Sequence, residues 1–181
     1  MGTALLTLEA AVFETRLGFF GAAIRERTIL KIVIGQTSAA SARQILSRSL
    51  DDCPEFSNSK EKPSETLAKL QTALTDYALG LRVEFSDFLL DLNPLTAYQQ
   101  TVTEVVRSIP YGETLSYSQV AELSGSPKSA RAVGTVMSNN RFPIVVPCHR
   151  VLASGGKLGG FSAPGGTSFK QSLLDLENSG R

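Results

Sequence analysis

Cysteine and histidine stand side by side at Cys148-His149, inside the run Ile144-Val145-Val146-Pro147-Cys148-His149-Arg150-Val151. The pair admits three readings: a thiolate nucleophile with its base, half of a metal site, or a structural cysteine beside an unrelated histidine. The chain holds one histidine and two cysteines, Cys53 and Cys148. A four-ligand zinc site would need several carboxylates to complete it, so no metal is expected. A structural cysteine in an apolar strand would be inert. Three features favour the nucleophile. Pro147 ends the strand expected over 144–146 and can re-aim the side chain that follows. His149 and Arg150 make an electropositive setting, which favours thiolate. Downstream, 154–166 (SGGKLGGFSAPGG) packs six glycines into thirteen residues, a loop whose backbone can approach a ligand closely.

Adjacent side chains on a strand point to opposite faces, so His149 would help Cys148 only through a turn or a bridging water. Such a base also needs an orienting group. The last helix offers one. On a wheel with Phe169 at zero, Glu177 falls at about 80°, within the arc of Leu173, Leu174 and Leu176, whereas Asp175 points away at about 240°. A carboxylate on an apolar face needs a partner, and the two candidates are His149 and a buried arginine.

A fold must position these groups, and 181 residues suffice for one or two small domains with a real core. Hydrophobic residues at 42% and charged residues at 19% exclude a disordered chain. Two cysteines cannot form a disulfide framework, which predicts a reducing, cytoplasmic location, or a nuclear one in a eukaryote. The start MGTALLTLEA does not read as a signal peptide, and no apolar run reaches membrane-spanning length.

Strands are predicted over 5–15, 18–24 and 28–34, helices over 38–50 and 64–79, a polar loop at 51–63 and a linker at 89–94. The second half reads differently. An amphipathic helix over 95–109 is followed by short helices at 116–123 and from Ser126-Pro127 to about Ser138, with Ser126 as N-cap and Pro127 in the first turn. Two short helices on a Gly125 turn outline a helix-turn-helix or a plain helical hairpin. Val133, Gly134 and Met137 share the core face of the second helix. Lys128, Arg131, Thr135 and Ser138 form a polar stripe suited to a phosphate backbone or to solvent.

The net charge of +1 conceals an asymmetry: 1–92 carry ten Lys/Arg against twelve Asp/Glu, and 93–181 carry eight against five. Residues 126–150 hold Lys128, Arg131, Arg141 and Arg150 and no acid, which points to a polyanionic partner.

Five motifs occur in order: Arg131-Ala132-Val133-Gly134, Asn139-Asn140, Pro147-Cys148-His149-Arg150-Val151, Gly160-Phe161-Ser162, and Leu173-Leu174 with Glu177. With them 93–181 resembles the O6-alkylguanine-DNA alkyltransferases, the methylated-DNA–protein-cysteine methyltransferases. The resemblance implies an α+β protein. Its domain 1–92 would be a small antiparallel sheet with helices, ribonuclease-H-like. Its domain 93–181 would be a mostly helical winged helix-turn-helix carrying the cysteine. The implied activity is irreversible, single-turnover transfer of an alkyl group from O6-alkylguanine in double-stranded DNA, with O4-alkylthymine a further candidate substrate. The protein would be a monomer without cofactor.

By the same resemblance, Cys148 takes the alkyl group, His149 removes its proton through a water, and Glu177 orients His149. Asn140 braces the active-site turn, and Tyr117 offers its phenol to the guanine as the base departs. Arg131 fills the gap left by the flipped nucleotide, with Lys128, Thr135, Ser138 and Tyr117 along the DNA. Carbonyls of Cys148 and Val151 accept from the guanine amino group, and the Ser162 amide reaches O6. Met137, Pro143, Leu158 and Phe161 line the pocket. Phe161 stands where members often have Tyr, losing a hydroxyl. The stretch from Ser162 to Lys170 is two residues longer than in some relatives. A DNA-binding protein that recognises alkyl lesions without chemistry is the main alternative, but those relatives lack the cysteine. A cysteine hydrolase would need a distant histidine, and the chain has none.

Overall fold

Short apolar runs separated by tight turns build the first part of the chain into a sheet. In the computed structural model, which describes residues 8–48 and 63–179, β1 (Leu8–Thr15), β2 (Gly18–Arg25) and β3 (Thr28–Gln36) form an antiparallel meander. The first turn is pinned by Thr15, whose hydroxyl donates to the Gly18 carbonyl at 2.8 Å and accepts from the Leu17 amide at 3.1 Å. Consecutive residues Phe20 to Ile24 of β2 are all buried, which a strand achieves only when both its faces are covered.

Helices α1 (Ala39–Arg48) and α2 (Glu65–Ala78) supply the cover. Leu46 of α1 packs with Ala23 and Val33, edged by Ala10, Val12 and Ile45. In α2, Leu67, Leu70, Leu74, Tyr77 and Ala78 form the buried stripe that helical spacing dictates. Ser64 caps α2 by accepting from the Leu67 amide, and its own amide donates to Glu9 at 2.7 Å.

Two expectations are corrected in this part. The 89–94 linker begins as a strand, β4 (Leu89–Leu90), which pairs parallel to β3. The four-stranded sheet, ordered β1-β2-β3-β4, is therefore mixed and not purely antiparallel. A two-residue strand carries too little alternation to be read from sequence. The expected strand start at 5–7, the helix end at 49–50, the loop at 51–62 and Cys53 lie outside the described residues.

Residues up to Leu79 and Val83–Asp91 make one compact unit, while Gly80–Arg82 and the chain from Leu92 onward make another. In the second unit α3 (Ala97–Arg107) opens on a reciprocal cap between Thr96 and Gln99, and α4 (Tyr117–Leu123) on an identical one between Ser116 and Gln119. The second cap switches the short strand β5 (Leu115–Ser116) into helix at Tyr117. At the other end of α4 the Ser126 amide bonds back to Ala121 and the Gly125 amide to Glu122, with Gly125 at φ +75°.

That closure moves the next helix. Ser126 is spent on ending α4, and Ser129 then donates to the Ser126 carbonyl at 2.9 Å, making a turn with Pro127 in its second position. Helix α5 accordingly spans Ala130–Ser138, three residues later than the Ser126-Pro127 start predicted above, and Lys128 sits in the turn. Val133, Val136 and Met137 face inward from α5, and Arg131, Thr135 and Ser138 are exposed. After 139–147, the segment β6 (Val151–Leu152) pairs parallel with β5, and α6 (Gly166–Ser179) closes the described chain. No helix among the described residues is long and apolar enough to cross a membrane.

Candidate active site

Cys148, His149 and Arg150 form one 3-10 turn, and all three are buried. The strand expected over 144–146 is absent. Ile144 lies at φ +75°, a left-handed conformation that a β-branched residue adopts only under strain of roughly 1–3 kcal/mol. Asn140 holds this path: its Nδ2 donates to the Val146 carbonyl at 2.8 Å and its Oδ1 accepts from the Phe142 amide at 3.0 Å. A side chain thus takes the place of a sheet neighbour. The consequence is geometric, because a 3-10 turn rotates successive side chains by about 120° where a strand would oppose them.

Helix α6 brings Glu177 to this turn. His149 Nε2 lies 2.7 Å from Glu177 Oε1, with both groups buried. Arg150 donates to the same carboxylate, from Nε to Oε2 at 2.9 Å and from Nη2 to Oε1 at 3.0 Å. The sequence left His149 and an arginine as alternative partners, and Glu177 takes both. Burial by itself would raise the Glu177 pKa, but the hydrogen bonds of His149 and Arg150 and the Arg150 charge hold it well below the usual carboxylate range. For His149 burial dominates and lowers the pKa against the opposing pull of Glu177. The imidazole is therefore neutral, donating Nε2–H to the carboxylate. Its buried Nδ1 carries the lone pair and is the ring's basic atom.

Cys148 is a protonated thiol at rest. Burial pushes its pKa up, while the Asn140 hydrogen bond, the Lys170 charge and backbone amides pull the other way. Lys170 is fully buried, an expensive position for an ammonium. Its Nζ donates to the Val151 carbonyl at 2.6 Å and to the Leu158 carbonyl, and it lies 5.9 Å from the centre of the Tyr117 ring. One side chain therefore ties the cysteine turn, the glycine-rich loop and the first residue of α4 together. Gly159, at φ +68°, backs onto Tyr117 so closely that a Cβ there would lie 3.1 Å from the ring. Desolvation and the neighbouring Cys148 both raise the Tyr117 pKa, so the phenol keeps its proton and can donate it.

Replacing Lys170 with Met should raise the Cys148 thiol pKa further, since the cation that favours thiolate is gone. Thiolate absorbance titrated against pH, in a Cys53→Ser background, reads this directly. An unchanged titration would remove Lys170 from the electrostatics of the site.

A buried thiol, an imidazole oriented by a carboxylate and a phenol suit nucleophilic displacement with proton transfer at both ends. Comparison with known proteins points the same way. Residues 97–179 match the family model described as the 6-O-methylguanine DNA methyltransferase DNA-binding domain. A methylated-DNA–protein-cysteine methyltransferase of Methanothermobacter thermautotrophicus is 40% identical over 129 residues, covering 71% of this chain and 70% of that protein. The constitutive enzyme of Bacillus subtilis is 35% identical over 154 residues, covering 84% and 92%. The chain belongs to the methylated-DNA–protein-cysteine methyltransferase family. The crystal structure of Mycobacterium tuberculosis OGT in complex with DNA superposes with a TM-score of 0.73 at 32% identity, covering 95% of this chain and 94% of that one.

Within this methyltransferase fold the remaining residues selected from the sequence fall into four places. Arg131, Thr135 and Ser138 line the outer face of α5, and Lys128 is exposed in the turn before it. Val151 and Leu158 meet at Lys170, beside Tyr117. Ser162 donates from its hydroxyl to the Ser138 carbonyl at 2.9 Å, and Phe161 packs on Phe169 with ring centres 6.3 Å apart. Met137 lines a small cavity with Val136, Asn140 and Phe142 and with Gln99 and Thr103 of α3, while Pro143 bridges to Val146.

Sequence reasoning missed Lys170, although the signal was present. The wheel that turned Glu177 inward places Lys170 at about 100°, in the same apolar arc.

Proposed function

We propose that this protein repairs DNA by direct reversal, moving the alkyl group of O6-alkylguanine irreversibly onto Cys148. The reading rests chiefly on one observation: a buried histidine next to the buried cysteine, hydrogen-bonded at 2.7 Å to a buried carboxylate. In the proposed step His149 Nδ1 takes the Cys148 proton through one water. The sulfur then attacks the alkyl carbon, the S–C bond forms, and the C–O6 bond breaks with its electron pair on the guanine. The Tyr117 phenol donates the proton that neutralises the departing base. The carbonyls of Cys148 and Val151 and the Ser162 amide would hold the guanine. Met137, Pro143, Leu158 and Phe161 would wall the pocket. A thioether resists hydrolysis by such groups, so each molecule acts once.

Duplex DNA hides the target atom, and rotating the base out of the stack costs roughly a few kcal/mol. In this reading 93–181 form a winged helix-turn-helix, with α5 facing a groove and Arg131 occupying the vacated space. Lys128, Thr135 and Ser138 would follow the phosphate backbone. Residues 1–92 would form a ribonuclease-H-like packing domain, and the protein would work as a cytoplasmic monomer. Intact mass after incubation with O6-benzylguanine tests the reaction. One added benzyl group supports transfer, whereas an unchanged mass supports a lesion-binding protein without chemistry.

Arg131→Ala should slow repair of duplex DNA far more than reaction with free O6-benzylguanine. The free base needs no flipping, and exposed Arg131 contributes little to the core. The ratio of the two rate constants, mutant against wild type at fixed salt, decides the matter. An equal fall for both substrates would assign Arg131 to the fold or to the chemistry.

A further inference from the structure

His149 and Arg150 share the Glu177 carboxylate, and Arg150, the cation of the two, is held by several further contacts. Besides its bonds from Nε to Oε2 at 2.9 Å and from Nη2 to Oε1 at 3.0 Å, its Nη1 donates to the Ile109 carbonyl at 2.6 Å. Its guanidinium lies 5.6 Å from the centre of the Tyr111 ring. Two residues after Ile109 and Pro110, the Gly112 amide donates to Glu177 Oε2 at 2.9 Å. The turn after α3 thus grips both members of the ion pair. Oε1 is left in the orientation that meets His149.

We propose that Arg150 is a positioning residue of the transfer reaction: by sharing Glu177 with His149 it fixes the carboxylate plane and keeps the imidazole a neutral proton acceptor. The proposal rests on the alkyl-transfer reading given above. A lone carboxylate 2.7 Å from a buried imidazole favours an imidazolium, and an imidazolium cannot take the Cys148 proton. A forked cation on the same carboxylate draws off part of that field.

Among the described residues, Glu177 and Lys170 of α6 and Arg150 of the turn act on the imidazole, and Tyr111, from the turn after α3, acts with Arg150 beside the carboxylate. Burial lowers the His149 pKa most, Glu177 raises it, and Arg150 and Lys170 lower it. Removing Arg150 must therefore move His149 upward. A bystander arginine would affect folding without moving that titration.

The chain has one histidine, so its imidazole nuclear magnetic resonance signals identify themselves. Wild type should show the Nε2–H tautomer and a titration midpoint below that of ordinary histidine. Arg150→Met, which keeps the apolar stem, should raise the midpoint. It should move the acid limb of the rate profile with O6-benzylguanine to higher pH in step. The rate at neutral pH should fall on the order of tenfold or more. Arg150→Lys, which keeps a charge but not the fork, should shift both in the same direction by less, and it serves if the Met variant does not fold. A fall in rate with the midpoint and the limb unmoved, in whichever variant folds, overturns the proposal. The midpoint is read without substrate. A wild-type protein that gains no benzyl group would therefore defeat the alkyl-transfer reading, and with it the reaction in which Arg150 is placed, through a separate measurement.

Discussion

Cys148→Ala should gain no benzyl group from O6-benzylguanine and should leave an O6-methylguanine oligonucleotide unrepaired, while binding duplex DNA about as tightly as wild type. The two halves of this expectation come from different parts of the second unit. Cys148 is buried in its turn, behind Asn140 and Lys170, whereas Lys128, Arg131, Thr135 and Ser138 are exposed. Removing one sulfur from a buried site is a small change in volume and should cost about 1 kcal/mol of stability. Intact mass for transfer and a salt-controlled binding isotherm for DNA are the measurements. Stoichiometric transfer that persists in the variant, with Cys53 also replaced, would move the nucleophile elsewhere.

Glu177→Gln carries the second large effect, on both stability and rate. The amide keeps the shape and loses the charge, leaving Arg150 as a buried cation without its counter-ion. Breaking one side of a buried pair costs about 3–5 kcal/mol. For a chain of this size that corresponds to a fall of about 10 °C in Tm. The rate should fall because His149 loses the carboxylate that strengthens it as a base and fixes its tautomer. A weaker base deprotonates the thiol less readily, and because Glu177 raises the His149 pKa, its loss should move the acid limb of the pH–rate profile to lower pH.

The stability profile gives an independent reading of the same residue. A carboxylate whose folded pKa is depressed contributes stability above its unfolded pKa and loses it as pH falls toward the folded value. Wild type should therefore lose stability progressively in acid below about pH 4.5, and the Gln variant should lose less over that range. Wild-type rate and an unshifted profile in the variant would reduce Glu177 to a structural ion pair with Arg150.

Sequence patterns alone located most of the elements and singled out Cys148, His149 and Glu177, while Asn140 and Tyr117 came from the family resemblance. Period-two and period-3.6 patterns placed the three long strands and α2, because burial of one face imposes those periods on any chain. Helical spacing likewise placed α3 and α4, expected over 95–109 and 116–123 and observed over Ala97–Arg107 and Tyr117–Leu123. The inward turn of Glu177 followed from the wheel for the same local reason. Contacts of this kind are settled by neighbours in the chain.

Where the competing options differed only in distant partners, tertiary structure decided. Ser126-Pro127 suits a helix start and a turn equally well; the start went to Ala130 because the Ser126 amide was already closing α4 on Ala121. Ile144-Val145-Val146 has strand composition, yet the bonds that Asn140 makes to Val146 and Phe142 fold it into a buried turn and so bring Cys148 and His149 to one centre. Leu89-Leu90 became a strand only by finding the edge of β3, sixty-one residues back in the chain. The wheel could say that Glu177 was buried but not by whom it was satisfied. That required the turn at 148–150 and the turn after α3 to arrive together, so that one carboxylate could serve His149, Arg150 and the Gly112 amide at once.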